Sequence, residues 1–130
     1  MEFTHIPGEK ILYRDLSYKI VGLAMKVHTE LGYGFLEKVY ENALMVAFEE
    51  NGIVAVQQAP IEIIFHDRVI GTFYADILVE KSIILELKSQ EKIIDINRAQ
   101  SLNYLKATKL RLAILLNFAK KRLGYERVIL

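Results

Sequence analysis

Three charged residues interrupt an otherwise apolar stretch near the middle of the sequence. Asp76, Glu86 and Lys88 lie within residues 74–88, where most of the other residues are typical of buried strands. Side chains alternate between the two faces of a strand, so Glu86 and Lys88 point the same way. Burying charge in an apolar strand is costly unless the charge is paired or bound. We therefore expect a functional patch here, with a structural Glu86–Lys88 ion pair as the alternative.

The face occupied by Asp76 depends on the loop between two predicted strands. If Glu80, Lys81 and Ser82 form a three-residue loop centred on Lys81, Asp76 lies directly opposite Glu86. Opposed residues of an antiparallel pair project to the same face of the sheet. A two-residue loop would shift the register by one residue and turn Asp76 to the other face. The predicted site is therefore also a prediction about this loop.

An aspartate and a glutamate on adjacent strands suit a hard divalent cation. Mg²⁺ and Mn²⁺ prefer oxygen ligands, and Mg²⁺ keeps several bound waters. A lysine two residues beyond the glutamate can hold an attacking water or stabilise negative charge that develops on a phosphate. Such a set favours hydrolysis of a phosphodiester, in which the metal activates water and neutralises the scissile phosphate.

The composition is that of one soluble globular domain. The chain has 130 residues, 52% hydrophobic and 25% charged, with a formal net charge of +1. Residues 1–80 contain 6 Lys and Arg against 12 Asp and Glu, whereas residues 81–130 contain 11 against 4. A basic half is a candidate phosphate-facing surface, although solvated lysines also line exposed faces without a partner. Without cysteine there is neither a disulfide framework nor a Cys-based zinc site.

The N-terminus lacks the apolar core of a signal peptide, and no run reaches the length of a membrane span. We therefore expect a cytoplasmic protein without a membrane partner. Residues 1–12 are predicted to be a flexible arm, followed by a single domain over residues 13–130.

Apolar spacing predicts three helices and five strands. The helices are expected at residues 16–31, 36–51 and 95–107, with Asp95 as a candidate N-cap of the third. The strands are expected at residues 53–65, 69–79, 83–87, 110–118 and 128–130. Residues 83–87 are apolar enough to predict a central strand that is covered on both faces.

Glycine and proline residues give further predictions about where these elements end or become irregular. Gly32 and Gly34 are expected to stop the first helix. Pro60 predicts a strand start, an edge strand or a bulge, and Gly71 predicts a bulge. Residues 66–68 are a plausible hairpin turn.

Glu37 lies in the first turn of the second helix, in phase with Tyr40, Leu44 and Phe48 on its apolar face. A carboxylate at this position interacts favourably with the helix dipole. The alternative is functional: the carboxylate is directed toward the core because a cationic group lies there. Position alone leaves both readings open.

The sequence resembles a known enzyme superfamily at several of these positions. Asp76 followed by Glu86-Leu87-Lys88 resembles the core of the PD-(D/E)XK nuclease superfamily. The segment GFLEKVY at residues 34–40 matches the GxxExxY signature of one small family within it. The resemblance covers about residues 15–130. It departs from the superfamily's pattern at Ala75, where proline is usual, and this departure removes no ligand.

The resemblance implies an α/β fold and a set of roles. It implies a restriction-endonuclease-like α-β-β-β-α-β core, with a central mixed sheet flanked by helices. Asp76 and Glu86 would be metal ligands, and Lys88 would position or polarise the nucleophilic water. Glu37 would fill the superfamily's first acidic position, binding metal directly or through water.

A second motif lies on the third helix. Gln100-Ser101-Leu102-Asn103-Tyr104 is similar to the QxxxY motif of the RecB-like nucleases. Those enzymes also take a metal-binding histidine from an upstream helix, and His28 is the candidate. The alternatives are an ordinary helix face for Gln100 and Tyr104, and a histidine without a ligand role.

The leading hypothesis is a nuclease that uses Mg²⁺ or Mn²⁺ and acts on nucleic acid, most readily DNA. Candidate nucleic-acid contacts are the basic residues Lys92, Arg98, Lys120, Lys121 and Arg122. Two other classes are considered: a catalytically silent nucleic-acid-binding module with a nuclease fold, and a small dimeric interaction protein. A possible homodimer is compatible with each of these hypotheses.

Overall fold

The computed structural model describes residues 12–130. The predicted arm at residues 1–12 lies outside this range except for its last residue. The elements, in chain order, are α1 Arg14–Leu31, α2 Glu37–Glu50, β1 Ala55–Phe65, β2 Arg68–Val79, β3 Ile83–Lys88, α3 Asp95–Thr108, β4 Leu112–Asn117 and β5 Gly124–Ile129. None of the helices in this range has the length and hydrophobicity that crossing a membrane requires.

The five strands form one mixed sheet in the order β1-β2-β3-β4-β5. β3 and β4 pair in parallel, and α3 connects them, whereas the other neighbouring strands are antiparallel. A parallel pair needs such a crossover connection, usually a helix. This arrangement confirms the predicted α/β fold with a central mixed sheet.

Helices cover both faces of the sheet. α1 and α2 pack on one face through a core that includes Ile20, Leu44, Ile77, Leu85 and Ile114. α3 packs on the other face, where Leu105 lies against a smaller cluster from the sheet. β3 is buried between the layers, since every residue from Ile83 to Leu87 is at most 7% exposed. The prediction of a doubly covered central strand is therefore confirmed.

The β2–β3 loop has the odd length that the site requires. Val79 pairs with Ile83 and Ile77 with Leu85, so continuing this register places Asp76 opposite Glu86. Ser82 N–H donates to the carbonyl of Val79 at 2.9 Å, closing the turn. The two intervening residues, Glu80 and Lys81, have φ of 51° and 56°, the left-handed conformation found in type I′ turns. The predicted three-residue loop is confirmed. The ladder itself ends at Ile77 and Leu85, and Asp76 contacts β3 through its side chain, which accepts a hydrogen bond from Leu87 N–H.

The long β1–β2 hairpin contains two irregularities. The register shifts between Ile63 and Ile64, which leaves Ile70 unpaired on β2 just before Gly71, at the predicted bulge. Gln58 has φ of 51°, and its place in the register, opposite Asp76, is missing from the ladder. Pro60 lies on β1, an edge strand of the sheet.

Most element boundaries lie within two residues of the predictions, and two features differ from them more clearly. α3 has Ile94 rather than Asp95 at its N-cap, and the Asn97 side chain accepts a hydrogen bond from Ile94 N–H at 3.0 Å. β5 begins at Gly124 rather than at residue 128. Its first half carries Glu126, whose carboxylate receives the Arg98 guanidinium, so the apolar alternation that marks a strand is absent there.

Replacing Lys81 with glycine should stabilise the protein, because glycine adopts a positive φ without steric cost. We expect the free energy of unfolding, measured by urea denaturation, to rise by up to about 1 kcal/mol. Ser82→Gly is the matched control, since Ser82 has no positive φ and its hydroxyl donates to the Glu80 carbonyl. A loss of stability in Lys81→Gly would contradict the turn described above.

Candidate active site

Asp76 and Glu86 meet on neighbouring strands at the end of the sheet near Lys88. The Asp76 carboxylate reaches across to β3, where its Oδ2 accepts a hydrogen bond from Leu87 N–H at 2.7 Å. Glu86, the residue before, is only 7% exposed. Lys88 is half-buried at the carboxyl end of β3. The structure thus brings together the three residues at which the sequence predicts chemistry.

Glu86 is the most strongly perturbed of these groups. Burial raises the pKa of its carboxyl from 4.5 to about 8, with a further increase from the nearby Asp76 charge. Lys88 acts in the opposite direction but does not offset them. Oε1 of Glu86 is buried and has no hydrogen-bond partner among the described residues. A buried carboxylate oxygen without a donor requires a proton or a cation.

Asp76 has the same kind of environment in milder form. Burial raises the pKa of its carboxyl, and the Leu87 N–H bond lowers it. The Glu41 charge raises the pKa further, while Lys88 lowers it. Two acids in a poorly solvated space therefore face one lysine, an arrangement typical of functional sites.

The turn between α1 and α2 places Glu37 beside this pair. Gly32 and Gly34 have φ of 78° and 109°, values that side-chain-bearing residues rarely adopt. Tyr40, fully buried, donates its hydroxyl to the Gly32 carbonyl at 2.6 Å and stacks on Phe118 with ring centroids 4.3 Å apart. The Gly-x-x-Glu-x-x-Tyr spacing therefore has a physical basis: Gly34 permits the turn, Tyr40 anchors the helix, and Glu37 points toward the sheet end.

Glu37 is electrostatically coupled to the site. Burial raises the pKa of its carboxyl, and the Asp76 charge raises it further, whereas Lys88 and the main chain of Ser89 lower it. Glu37 is exposed, so its carboxylate is not directed into the core. Its coupling to Lys88 and Asp76 nevertheless places it beside the site, and a catalytic or ligand role for Glu37 stays a prediction.

Asn117 fixes the segment that follows Lys88. Its side-chain Nδ2 donates to the Gln90 carbonyl at 2.7 Å, and its Oδ1 accepts from Gln90 N–H at 3.2 Å. Phe118 N–H donates to the Lys88 carbonyl at 3.0 Å. These bonds join the ends of the parallel strands β3 and β4, so the backbone that carries Lys88 is held on both sides.

Glu41 is a buried carboxylate that sequence reasoning missed. It is 4% exposed, and it accepts hydrogen bonds from Gln57 at 2.7 Å, Gln58 at 3.0 Å and Lys38 at 2.8 Å. The left-handed backbone of Gln58 occurs where its amide reaches Glu41, so the irregularity of β1 and this network coincide. The available signal was weak: Glu41 lies one turn after Glu37 and next to Tyr40.

α3 brings Tyr104 to the site from the opposite layer. Burial raises the pKa of its hydroxyl, and the Glu86 and Asp76 charges raise it further. The hydroxyl therefore stays protonated at neutral pH and is available as a donor. Gln100, one turn earlier and exposed, lines the same groove as Tyr104.

His28 lies in the α1–α2 layer, near the carboxyl end of β4. It is 4% exposed, with Nε2 at 3.3 Å from the Phe118 carbonyl, and its ring packs on Tyr40 and Phe118. Phe118 N–H donates to the Lys88 carbonyl, so a single residue, Phe118, lies between His28 and the Lys88 main chain. A ligand role for His28 stays a prediction.

The basic residues fall into two groups. The Arg98 guanidinium is already engaged, donating to Glu126 at 3.0 Å and to Asp95 at 2.8 Å, which favours a structural role. Lys120, Lys121 and Arg122 are exposed on the turn after β4, at the same end of the sheet as Lys88. Lys92 is exposed in the connection before α3. A nucleic-acid contact by any of these residues stays a prediction.

The donor set fits a hard cation bound by few protein atoms. Within residues 12–130 no group of three or more His, Asp or Glu has the arrangement of a complete metal cage. Asp76 and Glu86 nevertheless offer carboxylate oxygens, and Oε1 of Glu86 has no donor there. Proteins usually hold Mg²⁺ through one or two carboxylates, and water or phosphate fills the remaining coordination positions.

The whole domain, including this site, matches a family model. The model describes the PD-(D/E)XK nuclease superfamily, and the match extends over residues 14–128. The chain belongs to this superfamily. The motif residues predicted from the sequence, Asp76 and Glu86-Leu87-Lys88, lie within the matched range. Ala75 is 1% exposed and packs against Leu105 and other residues of the α3-side core, so the fold accommodates a small apolar residue there.

A solved structure supports the same fold. The chain is similar to the crystal structure of SSO0001, with a TM-score of 0.53 and 19% sequence identity. The alignment covers 71% of this chain and 48% of that one, so this chain spans about half of SSO0001. A comparison with curated proteins found no significant match.

Removing the Glu41 carboxylate should destabilise the protein, because the Gln58 amide loses its acceptor and the Gln57 amide keeps only Asn42. We expect Glu41→Ala to lower the free energy of unfolding by about 1–3 kcal/mol. Glu50→Ala, on an exposed position of the same helix, should change it by less than about 0.5 kcal/mol. Equal effects of the two variants in denaturant titrations would refute a structural role for Glu41.

Metal-free protein should lose stability as the pH rises. In the native state the pKa of Glu86 is about 8 against an ordinary value of 4.5. Between these pH values the folded protein keeps a proton on Glu86 that the unfolded protein releases. The free energy of unfolding therefore falls across that window, by on the order of a few kcal/mol. Denaturant titrations in EDTA at about pH 5 and about pH 8 measure this change.

Glu86→Gln is the control for the pH series, because glutamine has the same shape and does not titrate. Most of the decline should disappear in this variant. An undiminished decline would mean that other groups cause it.

Proposed function

We propose that this protein is a metal-dependent nuclease that hydrolyses phosphodiester bonds, with DNA as the substrate. The observation that carries the proposal is the proximity of Asp76 and Lys88 to Glu86, whose buried Oε1 has no hydrogen-bond partner among the described residues. Membership of the PD-(D/E)XK superfamily supports the same reaction class.

Asp76 and Glu86 would hold Mg²⁺ or Mn²⁺, and Glu37 would join them directly or through water. When bound, the cation supplies charge neutralisation at the phosphate and lowers the pKa of a coordinated water. Oδ2 of Asp76 is fixed by Leu87 N–H, so this carboxylate is oriented before any ligand binds. Such preorganisation lowers the cost of assembling the site.

Lys88 acts from the strand end beside the carboxylates. Its ammonium would hold the attacking water and stabilise the charge that develops on the phosphate oxygens. The Asn117 bonds keep the neighbouring backbone in place, and the protonated hydroxyl of Tyr104 offers a second donor from α3. The basic turn at residues 120–122 would face the nucleic-acid backbone, adding sequence-independent attraction.

Two finer assignments belong to the same proposal. The Gly34–Tyr40 spacing supports membership of the GxxExxY group, because each signature residue has a structural task in the turn before α2. Gln100 and Tyr104 support a QxxxY-like role, because both line the groove next to the carboxylates.

Metal binding can be tested without any substrate. Adding Mg²⁺ or Mn²⁺ at about 100 times Kd should stabilise the wild-type protein by about 2.7 kcal/mol and raise its Tm. Asp76→Asn and Glu86→Gln should abolish the shift, whereas Glu80→Gln, in the exposed β2–β3 loop, should retain it. The proposed site fails if Glu86→Gln and wild type respond equally to the metal.

Cleavage should depend on Lys88. We expect Lys88→Ala to lower the cleavage rate of labelled DNA by roughly 10²–10⁴-fold in Mg²⁺ or Mn²⁺, with an unchanged circular dichroism spectrum. Lys19→Ala, on the exposed surface of α1, is the matched charge control. The substrates are single-stranded, double-stranded and branched DNA.

Wild-type protein that leaves all three substrates intact would overturn the enzyme assignment. If DNA affinity then persisted in EDTA and fell with salt, the nucleic-acid-binding module would replace it.

A further inference from the structure

A groove of about 620 Å³ lies between α3 and the β1–β2 hairpin. We propose that this groove binds unpaired nucleobases of the substrate strand next to the scissile phosphate, so that the substrate is single-stranded at this position. The inference rests on the proposed nuclease function and specifies its substrate class. Six of the lining residues carry the argument: Phe73, Gln100, Asn103, Tyr104, Lys106 and Lys109.

The groove is continuous with the carboxylate site. Tyr104 lines the groove and also experiences the charges of Glu86 and Asp76. α3 connects the parallel strands β3 and β4, so it begins at the sheet end that holds Lys88 and ends at the opposite one. A strand whose phosphate lies at the carboxylates can therefore extend along α3.

Aromatic rings form the wall nearest the site. Phe73 and Tyr104 lie with ring centroids 5.7 Å apart and planes inclined by 41°. Phe73 is 47% exposed, so a large apolar ring is open to solvent at the mouth of the groove. An unstacked base can place its face on such rings, an interaction that every base can make. A duplex buries the faces of its bases in the stack, which prevents this contact.

Polar groups of α3 lie on both sides of Tyr104 along the groove, with Gln100 before it and Lys106 and Lys109 after it. Gln100 and Asn103 offer amides that can donate to and accept from base edges, and Lys106 and Lys109 offer ammonium groups. All four side chains are exposed. Glu62 also lines the groove, but on the β1 wall, so phosphates are expected to follow the lysines of α3.

This combination favours a single nucleic-acid strand as the occupant. Stacking surfaces combined with a track of cations are typical of sites that bind unpaired strands. The volume of the groove is that of ordinary ligand pockets. Tyr104 also links the groove to Glu86 and Asp76, so a strand in the groove passes close to the carboxylates that would bind the metal.

Phe73→Ala tests the stacking contact. Binding of labelled single-stranded DNA and of a duplex of the same sequence is measured by fluorescence anisotropy in EDTA, where metal-dependent cleavage cannot occur. Phe73→Ala should weaken single-strand binding by roughly 5- to 150-fold and leave duplex binding unchanged. Tyr74→Ala is the matched control, because Tyr74 is an exposed aromatic residue on the opposite face of β2.

Phe73→Leu guards against a folding defect, because leucine retains an apolar side chain without a ring. It should weaken single-strand binding as Phe73→Ala does, with a Tm close to that of the wild type. The inference is overturned if both variants bind single strands as tightly as wild type, or if single-strand and duplex binding fall equally.

A lysine pair provides an independent measurement. Lys106→Ala with Lys109→Ala should reduce the salt dependence of single-strand affinity by roughly 0.7 logarithmic units for each lost phosphate contact. The control pair is Lys19→Ala with Lys26→Ala on α1, in the layer on the other side of the sheet. Equal changes in slope for the two pairs would contradict a strand path along α3.

The same proteins separate this inference from the nuclease proposal. Wild-type protein is incubated with Mg²⁺ or Mn²⁺ on both substrates. Cleavage by the wild type, with no effect of the Phe73 variants on binding, would support the nuclease proposal and refute base binding in the groove. An effect of the Phe73 variants on binding, with no cleavage by the wild type, would support base binding in the groove and refute the nuclease proposal.

Discussion

The candidate site depends on two poorly solvated carboxylates, Asp76 and Glu86, that lie close together on β2 and β3. Beyond the effect of burial, the Asp76 charge raises the pKa of the Glu86 carboxyl, whereas the hydrogen bond between the two side chains lowers the pKa of Asp76, so Glu86 is the carboxyl that retains a proton. A cation held by both carboxylates would offset their mutual repulsion and favour the ionised form of each. Lys88 provides part of that compensation permanently, and its contribution is too small to restore ordinary acidity.

Two features of the fold, the turn between α1 and α2 and the helical crossover between β3 and β4, bring residues far apart in sequence to this pair. The left-handed glycines between α1 and α2 set the direction of α2, and the buried Tyr40 holds Glu37 at the sheet end. The parallel β3–β4 pairing requires a helical crossover, and that crossover delivers Tyr104 from the other face. The site is thus enclosed from both helical layers, whereas its strand residues are contributed by one hairpin.

Local pattern was sufficient for the features that one strand or one turn determines. The apolar run of β3 predicted its burial. The length of the three-residue loop after Val79 predicted the β2–β3 register that brings Asp76 beside Glu86. Features determined by contacts across the fold were not predictable in this way. Glu41 resembles any other helix carboxylate until Gln57 and Gln58 arrive from β1, and the polar start of β5 is explained by the ion pair between Arg98 and Glu126.

The outer edge of β1 has a consequence for the behaviour of the protein at high concentration. An edge strand of eleven residues would ordinarily be a template on which another chain could add a strand. Pro60 has no N–H to offer, and the left-handed backbone at Gln58 interrupts the row of hydrogen-bonding groups two residues earlier. The distortion that carries an amide to Glu41 therefore also makes the β1 edge a poorer template for strand addition.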